Sequence, residues 1–312
     1  MPASPSASGC CCSPVLLHVV TTEQAGARTD VLVATLAGAS RSRVAEEARR
    51  GGVTVNGAPA KPSRILEAGD VVEFEIPPVV PLLARAEAIA LSIVYEDDDV
   101  LVVDKPAGMV THPADGAKSG TLVNALLAHA DGNLPGENVR AGLVHRLDRD
   151  TSGLLLIGKN ERSLQKLQAA MKRREIAREY VGLVCGVPQH PRGTIEGPIG
   201  RDPRNRLKFS VVASGKPAIT HYEVHDVFPR HAEVVFALET GRTHQIRVHA
   251  AAMGNPLLND PIYGRRDPRV ALPGQALHAR RLTFAHPSDG RAMELESAPP
   301  REYAAARRLV GG

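Results

Sequence analysis

Residues 142–160, GLVHRLDRDTSGLLLIGKN, set His145, Arg146, Asp148, Arg149 and Asp150 between two short apolar runs. Charge inside a core is costly unless it is paired. A chain that interrupts two predicted strands in this way, then resumes with Leu154, Leu155, Leu156 and Ile157, is expected to turn at the rim of a sheet and face a ligand there. Asp148 stands between two arginines, and a carboxylate close to guanidinium is held ionised, a competent nucleophile or base. A structural ion pair at a turn fits the same string. Asp150, Thr151, Ser152 and Gly153 are expected to make the turn, with side-chain oxygens that bond nearby amides and Gly153 free to take a positive φ.

The rest of the second half reads as strands joined to a few helices. IVYEDDDVLVVDKP predicts two strands around an acidic turn, and TLVNALLAHA a helix with Leu122, Ala125, Leu126 and His129 at its repeat. SLQKLQAAMKRR offers Leu164, Leu167 and Met171 as a buried stripe before the strand REYVGLVCG. THYEVHDVF and HAEVVFALE predict consecutive strands, HQIRVHAAAMG a helix ending at Gly254, and LHARRLTFAHP a further strand. Strands outnumber helices and several are joined by short turns, so the expected class is α+β, a mixed, largely antiparallel sheet with flanking helices.

A chain of 312 residues has room for about two domains. Residues 1–27 are expected to be a disordered tail with no secretory leader, followed by a small α/β unit over 28–78. In that unit Val31, Leu32 and Leu36 recur at helical spacing, and Ser40 caps a second helix that Gly51 and Gly52 stop. VTVNG predicts a strand entering an Asn-Gly turn, and Val72, Phe74 and Ile76 share one face of another strand, before the Pro77-Pro78 break. Arg41, Arg43, Arg49 and Arg50 outnumber Glu46 and Glu47 on the second helix, either an RNA-facing surface or a solvated one. A linker, 79–92, with helical tendency at LLARAEAIA, leads to a larger domain over 93–312.

Composition excludes little and adds a direction. The net charge of +4 and pI near 9.0 weakly favour a polyanionic partner. No apolar stretch reaches the ~20 residues a membrane span needs. Cys10, Cys11, Cys12 and Cys185 fit neither a zinc site nor a disulfide framework, which suits reduced thiols in a cytoplasmic protein.

Two stretches carry a family resemblance. RTDVLVATL, SRSRVAEEARRGGVTVNG and LEAGDVVEF, in that order, resemble the S-four-type RNA-binding domain, which implies RNA contact through Arg41 and Arg43 by phosphate pairing. VHRLDRDTSGLLLIGKN resembles the catalytic motif of the RluA-type RNA pseudouridine synthases. KPAGMVTHP, REYVGLVCG, TGRTHQIRVH, PLLNDPIYG and LHARRLTFAHP follow that family's order, so the resemblance runs from about Ile93 to about Pro287.

The resemblance implies a pseudouridine synthase fold and isomerisation of a uridine already in RNA, with no metal or organic cofactor. Asp148 matches the essential aspartate, meeting positive charge at the anomeric carbon as carboxylates do in glycoside cleavage. Covalent addition and a glycal route both use it. Arg247 matches the arginine that pairs with this carboxylate, expected as a bidentate pair. Tyr180 matches the tyrosine that stacks on the base, Leu277 its apolar contact, and Arg146 the residue that fills the gap left by the flipped nucleotide, unless it pairs with Asp148 instead. His244 and His249 lack metal-site spacing and are read as supporting or core residues; KRREIAR and RDPRNRLK are expected to track the RNA backbone.

The expected partner is therefore structured RNA, foremost large-subunit ribosomal RNA, bound by a monomer with no membrane contact. Two other classes compete. A non-catalytic RNA-binding or ribosome-assembly protein has no need for Asp148, Tyr180 and Arg247 together. A glycoside or nucleoside hydrolase needs a second acid as proton donor, and Asp260 is the candidate.

Overall fold

The computed structural model describes residues 15–76, 83–114, 116–205 and 208–312. The Cys10–Cys12 segment, the Pro77-Pro78 break, the start of the linker and two residues of RDPRNRLK lie outside them. The chain divides into two compact units, Met1–Pro81 and Leu82–Gly312.

The first unit holds β1 (Leu16–Val19), α1 (Thr29–Ala37), α2 (Arg41–Arg49), β2 (Val53–Val55), β3 (Ala58–Pro59) and β4 (Val71–Phe74), with an antiparallel sheet in the order β1-β4-β2-β3. Ser40 caps α2 by accepting the Arg43 amide, and Asn56 and Gly57 make the β2–β3 turn, both with positive φ. Residues 15–27 are not a disordered tail. β1 pairs with β4 from Leu16↔Phe74 to Val19↔Val71, and Val20 is buried, because the β4 edge needs a partner for its amides. The α1 stripe also differs: Leu32 and Val33 are buried, whereas Val31 and Leu36 are each 37% exposed. Val72 and Phe74 are buried on one face as their alternation predicts.

The second unit begins, over 83–91, with a strap that has no regular secondary structure, in place of the expected helix. Ala84 N–H donates to Asn138 Oδ1, Asn124 Nδ2 donates to the Arg85 carbonyl, and Glu87 N–H donates to the Asn124 carbonyl. Those partners satisfy the backbone that a helix would have satisfied internally. The strap leads into β5 (Ser92–Glu96), β6 (Val100–Lys105), α3 (Leu122–His129), β7 (Ser152–Gly158), α4 (Glu161–Lys172) and β8 (Ala177–Cys185). β9 (Arg192–Glu196), β10 (Ile199–Arg201), β11 (Phe209–Val211), β12 (Ile219–Val227) and β13 (His231–Leu238) follow. α5 (Gln245–Ala252), β14 (Leu277–Ala285), β15 (Ala292–Glu296) and α6 (Arg301–Gly311) complete the unit.

The main sheet runs β5-β6-β7-β14-β8-β13-β12-β9, with β15 also on β14; among the described residues only the β7–β14 pairing in it is parallel. This is the mixed, largely antiparallel α+β architecture the pattern predicts. β6 and β7 are covered on both faces, which is why they read as unbroken apolar runs. Leu101, Val103, Leu155 and Ile157 face the α3 and α5 side; Val100, Val102, Leu154 and Leu156 face the α4 side. Each such fully buried side chain contributes about 1.5–3 kcal/mol.

The interruption after Leu143 is a rim loop between unlike partners. Only β7 is a strand; Leu143 contributes a single bridge to Ile157, and Ser152 and Gly153 already belong to β7. Gly153 has φ +112°, and a Cβ there would lie 2.3 Å from the Ala279 carbonyl oxygen. That close approach sets β7 beside β14 and so brings the loop carrying Asp148 to the end of β14, where Leu277 stands.

Candidate active site

Asp148, Tyr180, Arg247, Arg146 and Leu277 line one cavity of about 490 Å³ in the second unit. Its size is that of a small-molecule pocket, ~300–1,000 Å³. Asp148 presents a side chain that is 19% exposed, whereas the Arg247 beside it is 5% exposed.

The Asp148 loop is held from KPAGMVTHP. Lys105, at the end of β6, has no exposed surface and donates through Nζ to the carbonyls of Pro106, Met109 and Arg149 at 2.9, 2.8 and 3.0 Å. Thr111 Oγ1 donates to the Leu147 carbonyl at 2.7 Å and Gly108 N–H to the Arg149 carbonyl at 3.0 Å. Carbonyls on both sides of Asp148 are therefore fixed. The sequence marks this stretch as a motif without showing its task.

Burial pushes the Lys105 ammonium down to about 7, against the pull of Asp148, Asp150 and Asp104. The unfolded lysine titrates near 10.5, so between those values the unfolded chain holds the extra proton and stability should rise with pH. In Lys105→Met, of similar length, the urea midpoint is expected to rise less from pH 7 to 10 than in wild type. Turnover should fall as the Asp148 loop loosens. Parallel pH–stability profiles would contradict this role.

Arg247 comes from α5, whose start is tied down by Gln245. The Gln245 amide donates to the Ile219 carbonyl and to Thr220 Oγ1, while its carbonyl accepts from Thr240 Oγ1 and the Arg242 amide. Arg247 then reaches two carboxylates. The bidentate pair is with Asp260, Nε to Oδ2 at 2.7 Å and Nη2 to Oδ1 at 2.9 Å; Asp148 receives one contact, Nη1 to Oδ2 at 3.3 Å. This corrects the expected bidentate pair with Asp148. One edge of the fork is occupied by a fully buried carboxylate, which leaves Asp148 with oxygen valences open to the cavity.

Asp260 is also not the proton donor a hydrolase would need. Burial works to raise its pKa, but the Arg247 fork and the amides of Ile262 and Tyr263 outweigh it and hold the carboxyl below its usual range. The Arg247 charge is correspondingly favoured, and its guanidinium lies 5.1 Å from the Tyr263 ring centroid.

Tyr180 on β8 and Leu277 on β14 are both buried in the core cluster and offer apolar faces to the cavity. Burial raises the Tyr180 phenol's pKa, opposed by Arg178 and reinforced by Asp148, so the ring is neutral near pH 7. Arg146 is exposed and makes no ion pair with Asp148, so the simpler alternative for it does not hold. Lys172 and Arg174 of KRREIAR, with Arg242, add to an exposed basic rim.

His249 is a core residue, bonded to Thr220 Oγ1 and the Gly197 carbonyl, and His244 Nδ1 meets the Tyr263 hydroxyl at 2.9 Å. Among the described residues one group, His225, Asp226 and Glu233, has ligand atoms close enough to share a metal ion. Both carboxylates there are paired with Arg307, and none of the three lines the Asp148 cavity.

Comparisons with known proteins decide the family. A profile described as RNA pseudouridylate synthase matches residues 99–252, and one described as S4 domain matches residues 28–72. An RNA pseudouridine synthase of Bacillus subtilis, YlyB, is 45% identical over 267 residues, 85% of this chain and 88% of the relative. The chain belongs to the RNA pseudouridine synthases. A protein of Pseudomonas aeruginosa named ribosomal large subunit pseudouridine synthase D is 44% identical over 296 residues, 90% of this chain and 91% of that one. Among solved structures, human RNA pseudouridylate synthase domain containing 1 superposes with a TM-score of 0.56 at 28% identity, over 69% of this chain and 86% of that chain. As a pseudouridine synthase carrying an S4 domain, the protein is an RNA-modifying isomerase. Among its described residues no helix is long and apolar enough to cross a membrane.

Proposed function

We propose that this synthase isomerises uridines of large-subunit ribosomal RNA, with Asp148 acting at the ribose of a nucleotide flipped out of its stack. The carrying observation is the Asp148 carboxylate, partly exposed in a cavity walled by Tyr180, Leu277 and Arg247 and rimmed by Arg146, Lys172, Arg174 and Arg242. A stacked uridine cannot bring its C1′ to such a group without leaving the helix. Tyr180 and Leu277 supply the faces for the base. Arg146, exposed and without an ion pair to Asp148, enters the vacated space. The ribosomal substrate is supported by the name of the Pseudomonas relative and by the RNA-binding module. We read the protein as a cytoplasmic monomer, the compartment following from the proposed ribosomal substrate.

The test is to incubate the protein with separate transcripts of large-subunit ribosomal RNA and transfer RNAs and to map pseudouridine by carbodiimide adducts. Modification at defined ribosomal positions is expected. Modification of transfer RNA alone would overturn the substrate.

On the first unit, Arg41 is 59% exposed in its side chain and reaches Asp30 at 3.2 Å, an oxygen it can exchange for phosphate. We assign Arg41 and Arg43 to backbone contact. Replacing both by alanine is expected to lower RNA affinity and reduce the slope of log affinity against log salt by roughly one to two. Turnover at saturating RNA should hold; a collapse there would contradict the division of labour.

A further inference from the structure

β8 carries Arg178 and Tyr180 two residues apart, so their side chains leave the same face of the sheet, and both line the Asp148 cavity. Arg178 is 8% exposed. Unlike Arg247, which has two carboxylates, Arg178 has no carboxylate partner among the described residues. Its guanidinium makes one long hydrogen bond, Nη2 to the Thr240 carbonyl at 3.4 Å, and its Nε–H is buried with no partner among the described residues.

A second orphan donor borders the same space. Leu156 N–H donates to His145 Nε2 at 3.2 Å, which leaves the ring proton on Nδ1, and that nitrogen is also buried and unpartnered. Burial, then the Arg178 charge, pushes the His145 pKa down to about 3, so the ring stays neutral. An uncompensated buried guanidinium is strongly unfavourable. Retaining one beside a second unfilled donor makes sense if substrate brings the negative charge. The RNA phosphates have the exposed rim of Arg146, Lys172, Arg174 and Arg242 to meet; Arg178 lies on the buried wall next to Tyr180.

We propose that Arg178 is a further catalytic residue, whose guanidinium, with His145 Nδ1–H, hydrogen-bonds the carbonyl edge of the flipped uracil and stabilises the negative charge of the departed base. The inference rests on the reading of Asp148 as the group acting at the ribose. When the C1′–N1 bond breaks, its electron pair leaves with the base and spreads over O2 and O4. When C5 then bonds to C1′, that charge is spent in the new bond; C5 later loses its proton, N1 gains one, and the sum is an isomerisation. Donors placed for the intermediate charge lower the cleavage barrier more than they strengthen RNA binding.

The test compares wild type, Arg178→Met and Arg178→Lys in single turnover on an RNA that wild type modifies. One RNA carries uridine at the target and the other 5-fluorouridine, whose base leaves more readily; cleavage is read as loss of the original nucleoside from nuclease digests. Arg178→Met is expected to slow the uridine reaction by roughly 10²–10³-fold with wild-type RNA affinity. On 5-fluorouridine the loss should shrink at least tenfold. Arg178→Lys, which keeps a cation, should recover a large part of the rate, and it carries the test if the Met variant does not unfold cooperatively. Equal losses on both RNAs, equal losses in folded Lys and Met variants, or a loss confined to affinity would overturn the proposal. A wild-type protein that forms no pseudouridine, or an Asp148→Asn protein that keeps its rate, would instead overturn the reading beneath it.

Discussion

Asp148→Asn is expected to lower the single-turnover rate of pseudouridine formation by about 10⁴-fold or more, the scale seen when a central reacting group is removed. RNA affinity should stay at the wild-type value. The asparagine has the same shape and can accept from Arg247 Nη1 as the carboxylate does, so the loop held by Lys105 and Thr111 has no reason to move. What disappears is the charge that meets the oxocarbenium-like ribose or takes its proton. Rate measured by release of tritium from C5-labelled uridine, beside affinity from filter binding, separates the two effects. A variant that keeps a tenth of the rate would remove Asp148 from the chemistry.

The second large effect falls on a residue that need not touch RNA. Asp260→Asn takes from Arg247 the carboxylate that binds its Nε and Nη2 in a buried setting. Leaving such a guanidinium without its partner is expected to cost about 3–5 kcal/mol of stability. It also frees the fork to turn toward Asp148 and occupy the oxygens left open to the cavity, so turnover should fall while affinity is retained. The companion Arg247→Gln and the double variant test the coupling: the double should cost less than the sum by roughly 1–3 kcal/mol. Because the folded Asp260 carboxyl titrates below its ordinary range, the pair contributes fully above about pH 4 and is lost as the pH falls through the folded value. The stability gap between wild type and Asp260→Asn should therefore narrow in acid. Additive single effects, or a gap that widens, would contradict the pairing.

Much of the sheet was legible because β6, β7, β8, β13 and β14 announce themselves as apolar or alternating runs, and α5 stops where Gly254 takes φ +87°. The gathering of Asp148, Tyr180, Arg247, Leu277 and Arg146 at one cavity followed from the order of the motifs, not from any local property of the residues. Failures have physical causes. Residues 83–90 have helical composition, but Asn124 and Asn138 offer their amides and carbonyls better-placed partners. β1 has a short apolar run whose value appears only once β4 presents an open edge. Arg247 prefers Asp260 to Asp148 because the turn after Leu258 delivers a buried carboxylate to two of its nitrogens, a matter of tertiary geometry. Lys105 and Arg178 look like ordinary basic residues until their burial is known.

The most direct test is a transcriptome-wide pseudouridine map of cells whose only copy of this protein is wild type or Asp148→Asn. A defined set of ribosomal uridines should be modified in the first and unmodified in the second, with the variant present at normal abundance. Identical maps from the two strains would contradict the assignment of Asp148 as the reacting group.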